Sequence, residues 1–238
     1  MDWLSAPTPL ILAHRGASAD APENTLTAFA LAREQGADGV ELDVHLSADG
    51  WPVVIHDERV ERTTSGTGRV SRLTVAELQA LDAGAGQAIP TLDEVFEMLG
   101  PGFLYNVEIK AEGWRSKGIE AAVADRIEAY HLENQTVVSS FSPLVVRRAR
   151  RHLTRTTLVA LIHDRPLSRF HTWLARAEAD HPHYSLVDTA YMERVRKQGY
   201  RVHVWTVDDP AEARRLAGLG VHAIVTNKPE FIRESLRM

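Results

Sequence analysis

Short runs of aliphatic and β-branched residues recur along the chain, separated by longer stretches whose apolar residues return every three or four positions. The runs are LILAH, GVELDVHL, PVVIH, FLYNVEIK, TVVSSF, TLVALIH, YSLVD, RVHVWTV and AIVTN. Between them lie NTLTAFALAREQG, TLDEVFEMLG, GIEAAVADRIEAYH, SPLVVRRARRH, PLSRFHTWLARAEA, AYMERVRKQG, PAEARRLAGLG and PEFIRESL, each with a helical period. Strand-like runs alternating with helices are the mark of βα units around a parallel sheet. Eight such units predict an α/β fold, a (β/α)8 TIM barrel, with PVVIH as a return strand outside the series. An open doubly wound sheet is the alternative that the same pattern allows.

Local signals sharpen the helix ends. Thr91 with Glu94, and Thr74 with Glu77, fit capping boxes, while Gly36, Gly199 and Gly220 stand where a left-handed residue would stop a helix. The rhythm breaks from Glu58 to Pro90, a long segment, polar at its start and glycine-rich at both ends. It is expected to form a small insertion over one rim after the second strand region, residues 58–90, with a short helix opened by Thr74. No repeat, low-complexity tract or linker divides the 238 residues, so one domain spanning 1–238 is expected.

Strand parity places chemistry. In GVELDVHL, Glu41, Asp43 and His45 share one face and Val40, Leu42 and Val44 the other. In NVEIK, Asn106, Glu108 and Lys110 repeat the pattern. Carboxylates turned into a barrel are unfavourable unless a cation or proton sits between them. Glu41, Asp43 and Glu108 therefore make a candidate site for one hard divalent ion, Mg²⁺, Ca²⁺ or Mn²⁺. His14 and His56 each close an apolar strand, at the rim where barrel active sites are built, and imidazoles there suit acid and base work. Arg15 offers a fork of donors for a phosphate or carboxylate, and Lys110 a second positive charge, which together suggest an anionic substrate. The bland alternative is that these two cations only neutralise the acids as buried ion pairs. Trp205, on the face of His203, and Phe141 are candidates to wall a substrate pocket.

Composition removes other classes. The 27 Lys and Arg against 32 Asp and Glu give a formal charge of -5, with a pI near 6.1. Neither nucleic acid nor membrane insertion is indicated, and RRARRH reads as one solvated helix face. The chain has no cysteine, so no disulfide or thiolate metal site is possible. With no apolar run long enough for a span or leader core, a soluble cytoplasmic protein is expected. No pattern specifies an oligomer.

The motifs AHRG, PENT, GADGVELDVHLSADG, VVIHD, RTTSGTG, NVEIK, SSFS, HVWTV and GVHAIVTNKP run in this order through nearly the whole chain. In that order they resemble the glycerophosphodiester phosphodiesterases. The resemblance implies a TIM barrel that hydrolyses glycerophosphodiesters to glycerol 3-phosphate and an alcohol with the help of a divalent cation, in glycerol and lipid metabolism. It implies Glu41, Asp43 and Glu108 as metal ligands and His14 and His56 as the acid/base pair. It also implies Arg15 as a phosphate ligand and Lys110 as a polar contact to substrate. A phosphodiester lyase that releases a cyclic phosphate, and a non-catalytic ligand-binding barrel, are the alternative functions. Where the family usually has GVDGI and TD followed by a proline two residues on, this chain has His222 and Asn227 at its last strand. No primary catalytic role is expected there.

Overall fold

The computed structural model describes residues 2–110, 118–167 and 169–237. Strands β1 (Leu10–His14), β2 (Gly39–Leu46), β3 (Pro52–Val54), β4 (Leu104–Ile109) and β5 (Thr136–Ser140) are followed by β6 (Leu158–His163), β7 (Ala179–Pro182), β8 (Arg201–Val204) and β9 (Ala223–Thr226). All but β3 are parallel, and the pairing of β1 with both β2 and β9 closes them into a barrel. β3 lies antiparallel on β2, with Val54 opposite Val44, so it is the expected return strand and not a stave. Helices α1 (Leu26–Glu34), α2 (Val75–Gln79), α3 (Leu92–Leu99), α4 (Ile119–Ala129) and α5 (Pro143–Ala149) precede α6 (Arg169–Ala175), α7 (Thr189–Lys197), α8 (Pro210–Leu219) and α9 (Pro229–Arg237). All but α2, which lies in the insertion, connect successive staves or follow the last one.

Two apolar layers explain the closure. Outward residues of β2, Val40, Leu42 and Val44, are fully buried in a cluster with Phe29 of α1, Phe96 of α3 and Val123 of α4. Inward residues Leu10, Leu12, Leu104, Val137, Ala160 and Ala223 fill the barrel toward its N-terminal end. Trp3 plugs that end: its indole Nε1 donates to the carbonyl of Gln135 at 2.8 Å and its ring stacks on His203. With one end sealed by apolar packing, the inward polar residues collect at the opposite rim, where the strands end.

The insertion is a packed unit. Val60, Val70, Leu78 and Ile89 are buried with Val53 and Ile55 in a core of their own. The capping boxes at Thr74 and Thr91 both form, with each threonine hydroxyl accepting from the backbone and each glutamate accepting in return. Gly36, Gly199 and Gly220 have φ of +74°, +73° and +80° just beyond α1, α7 and α8.

Three expectations change. YSLVD is not a strand: Tyr184–Leu186 is a 3-10 turn, and the stave is the preceding ADHP of β7. The helical stretch reaching Ala179 in sequence ends at Ala175, followed by Arg176 at φ +50°. The reason is visible in β7, whose outward Asp180 joins His163 and the Tyr191 hydroxyl in a buried hydrogen-bonded cluster instead of presenting an aliphatic side chain to the helices. The arginine-rich α5 is also less solvated than expected, since Arg148 pairs with buried Glu120 at 2.6 Å.

Candidate active site

The turn after β1 sets the first side chains. Arg15 takes φ +57° and Gly16 φ +83°, while Asn24, which donates its backbone N–H to the Arg15 carbonyl at 2.9 Å, takes φ +58°. Left-handed backbone at non-glycine residues is sparsely populated and is held here by that bond and by the Arg15 N–H to the Glu41 carbonyl, 2.9 Å. A Cβ on Gly16 would lie 2.6 Å from the backbone of Ala28 on α1, so only glycine lets the chain turn away from the rim at this point.

Strand register assembles the acids. His14 stands opposite Glu41 across β1 and β2, Glu41 opposite Asn106 and Asp43 opposite Glu108 across β2 and β4. One oxygen from each of Glu41, Asp43 and Glu108 lies within 4.8 Å of the others, and all three residues are buried. Lys110 Nζ is 2.8 Å from Asp43 and 2.5 Å from Glu108. Arg15 Nε lies 3.2 Å from the other Asp43 oxygen, which also accepts from Asn24 Nδ2 at 2.8 Å.

Electrostatics show what this cluster lacks. Burial, then the charges of Asp43 and Glu108, push Glu41 well above the usual carboxylate range. Burial and Asp43 push Glu108 up to about 7. Asp43 moves the other way: burial opposes its ionisation, but Lys110 and Arg15 hold it below its ordinary value. Among the described residues, ion pairs connect four carboxylates, Glu23, Asp43, Asp57 and Glu108, with three fixed cations, Arg15, Arg62 and Lys110, while Glu41 faces the His14 ring. The uncompensated charge and the all-oxygen donor set fit a hard divalent cation, and mutual neutralisation by Arg15 and Lys110 falls short of replacing one.

The histidines flank the acids. His14 Nε2 is 3.9 Å from Glu41 Oε2, and its Nδ1 is 2.7 Å from Asn227 Oδ1. Burial first, and Arg15 second, lower its pKa. His56 leaves β3 with Nδ1 2.5 Å from Asp57 Oδ1. Arg62, from the insertion, donates to Asp57 at 2.6 Å and to Glu23 at 2.8 Å, and Glu23 in turn accepts from Arg15 at 2.9 Å. The Arg62 hydrogen bond, with that of His56, brings Asp57 down to about 2.

His14, Arg15, Glu41, His56, Glu108, Lys110, Phe141 and Trp205 line one pocket of about 100 Å³, with Asp43 directly behind it. Phe141 meets Trp205 edge to face at 5.4 Å, and Trp205 Nε1 donates to the His181 carbonyl at 2.8 Å. A larger cavity, about 830 Å³, opens between α6 and α7 around Tyr191 and Arg194, but the carboxylate cluster does not reach it. All nine sequence-derived candidates thus meet at one rim. Sequence reasoning passed over Glu23, Asn24, Asp57 and Arg62, which sit in or beside the PENT, VVIHD and RTTSGTG motifs; Asn227 stood out there only as a departure from the family pattern, and it shares the inward parity of Ala223 and Val225.

The comparisons with known proteins agree with this geometry. The family model described as "Glycerophosphoryl diester phosphodiesterase family" matches residues 14–231. A glycerophosphodiester phosphodiesterase of Caldanaerobacter subterraneus subsp. tengcongensis is 39% identical over 237 residues, covering 96% of this chain and 98% of that protein. Among solved structures, an Oleispira antarctica phosphodiesterase in complex with the product sn-glycerol-3-phosphate superposes with a TM-score of 0.87 at 30% identity, over 97% of both chains. A glycerophosphodiester phosphodiesterase of Agrobacterium tumefaciens does so at 0.84 and 31%, over 95% of this chain and 100% of that one. With a closed barrel, a carboxylate triad at its rim and relatives matched end to end, the chain belongs to the glycerophosphoryl diester phosphodiesterase family of phosphoric diester hydrolases.

Proposed function

We propose that the chain hydrolyses small glycerophosphodiesters to glycerol 3-phosphate and a free alcohol, with one divalent cation, Mg²⁺, Ca²⁺ or Mn²⁺, held by Glu41, Asp43 and Glu108. The observation that carries this reading is the buried triad within 4.8 Å, flanked by two imidazoles and two basic side chains. A phosphodiester is anionic, so its attack needs charge neutralisation, alignment and proton transfer. The cation, when bound, supplies charge for the non-bridging oxygens. Arg15 and Lys110 bind the same phosphate from the protein side and hold it in line.

Asp57 orients His56, as Asn227 does His14. One ring takes the proton of the attacking hydroxyl; the other gives a proton to the departing alkoxide, which leaves as the alcohol. In our reading the attacking group is the glycerol 2-hydroxyl. It forms a cyclic phosphodiester as the P–O bond to the alcohol breaks, and water then opens the ring to glycerol 3-phosphate. A pocket of about 100 Å³ holds roughly three waters' worth of volume, enough for the phosphate and part of the glycerol. The alcohol therefore lies at the open rim against Phe141 and Trp205.

The test is a panel of choline, ethanolamine, glycerol and inositol glycerophosphodiesters, assayed after chelation and after return of each ion, with products read by phosphorus NMR. Glycerol 3-phosphate released only when an ion is restored is the expected result. Cyclic phosphate accumulating without glycerol 3-phosphate would make the protein a lyase. Full turnover of the 2-deoxy substrate would replace the cyclic route with direct attack by water.

A further inference from the structure

Asn227 follows β9 and stands beside His14 at the end of the neighbouring stave β1. Its Oδ1 lies 2.7 Å from His14 Nδ1 and accepts from the Ser18 hydroxyl at 2.8 Å. Its Nδ2 donates to Asp208 Oδ2 at 2.6 Å, and its backbone N–H donates to Asp208 Oδ1 at 2.8 Å. Asp208 Oδ1 also accepts from the Thr226 hydroxyl at 2.9 Å. Each of these three groups around Asp208 is a donor, which is what an ionised carboxylate requires, since it only accepts.

The chain of partners fixes a hydrogen. Because Asp208 can only accept, the Asn227 amide must turn its NH2 toward Asp208 and its oxygen toward His14. An amide oxygen only accepts as well, so the His14 nitrogen facing it must carry the hydrogen. The other ring nitrogen, Nε2, is then left toward the acids, 3.9 Å from Glu41 Oε2. The opposite tautomer would set a lone pair against the amide oxygen and put the N–H on Nε2 instead.

We infer that Asn227, oriented by Asp208, is a positioning residue that locks His14 in its Nδ1–H tautomer and presents Nε2 to the phosphate. Asn227 touches no reacting atom; it acts through the His14 ring. The inference rests on the proposed role of His14 in proton transfer, yet the tautomer itself is observable without turnover. A wrong tautomer behind an intact fold is costly in other histidine-dependent enzymes, and partners of this outer kind change activity by about 10- to 100-fold, more where the tautomer is lost.

The experiment compares Asn227→Leu, Asp208→Asn and the exchange Asp208→Asn with Asn227→Asp. In the exchange, a carboxylate at 227 still accepts from His14 and an amide at 208 still donates to it. Kinetics are read as kcat and KM separately, and the His14 tautomer by nitrogen-15 NMR of histidine-labelled protein at pH 8, with the His14 signals assigned by their loss in His14→Gln. Asn227→Leu is expected to lower kcat roughly 100-fold with KM changed less than about 3-fold, and to move His14 away from pure Nδ1–H. The exchange is expected to restore the tautomer and most of kcat. Should Asn227→Leu fail to fold, Asp208→Asn, which leaves Asn227 in place but frees its amide to turn over, gives the same reading with a smaller loss. An unchanged tautomer in both single variants, or an exchange no better than Asn227→Leu, overturns the inference. A tautomer that shifts as expected in a protein with no phosphodiesterase activity overturns the proposed function and leaves the positioning role standing.

Discussion

Gly16 shows how much of the site rests on one missing methyl group. Its φ of +83° and the 2.6 Å approach of a would-be Cβ to the Ala28 backbone are separate penalties. Gly50, at φ +87° with nothing within 4 Å of its would-be Cβ, carries the first penalty alone. Gly50→Ala is therefore expected to cost about 1 kcal/mol, and Gly16→Ala at least about 2 kcal/mol. The extra loss at Gly16 comes from pushing α1 off the turn that carries Arg15, so kcat/KM should fall only in Gly16→Ala. Urea midpoints and steady-state kinetics on the two variants check this; equal destabilisation with unchanged kinetics in both would show that the close approach has no consequence.

At the scale of elements, the insertion contributes one side chain to the mouth. Arg62 is about half exposed, and its bonds to Asp57 and Glu23 tie the support of His56 to the support of Arg15. Exposed pairs contribute under about 1 kcal/mol to stability, so Arg62→Ala should barely move the thermal midpoint. It should nonetheless lower kcat/KM about 10-fold, because Asp57 loses the partner that holds it in place beside His56. Arg62→Lys should recover little, since a single ammonium cannot reproduce a guanidinium fork across two carboxylates. Loss of stability in proportion to loss of activity would reduce Arg62 to a structural tie. This bridge was not legible in the sequence. Alternating parity brought out Glu41, Asp43 and Glu108 because period two is local, and the β2–β4 register then followed from the barrel. The bridge joins residues 39 apart through long side chains, and the Asn227–His14 bond joins residues 213 apart, so no local period reports either. β7 escaped for another reason: Ala-Asp-His-Pro has no β-branched residue, and its place as a stave comes from side-chain bonding of Asp180 to His163 and Tyr191.

Across the whole molecule, a stack of buried rings runs from the sealed end of the barrel to the pocket. His203 is fully buried between Trp3 and His181, which lines the pocket; among the described residues, neither ring nitrogen of His203 has a hydrogen-bond partner, nor does His181 Nε2. Burial, reinforced by His181 and Arg201, holds His203 far below its ordinary pKa; burial and His163 bring His181 down to about 3. Both rings are therefore neutral in the folded chain at pH values where the unfolded chain protonates them near 6.5. For a depressed histidine the stability is fully present above that unfolded value and is lost as pH falls toward the folded one. Glu108, raised to about 7, acts in the opposite direction when no cation is bound, so the total pH profile mixes the two. Comparing wild type with His203→Phe removes the shared carboxylate contribution. Phenylalanine keeps the stack on Trp3 and cannot titrate, so the stability of wild type relative to the variant should fall as pH drops from 7 to 5. The expected change is about 2 kcal/mol, one histidine kept neutral over roughly 1.5 pH units below 6.5. Urea unfolding at both pH values measures it, and a difference that stays constant from pH 7 to 5 would mean that His203 gains its proton without unfolding.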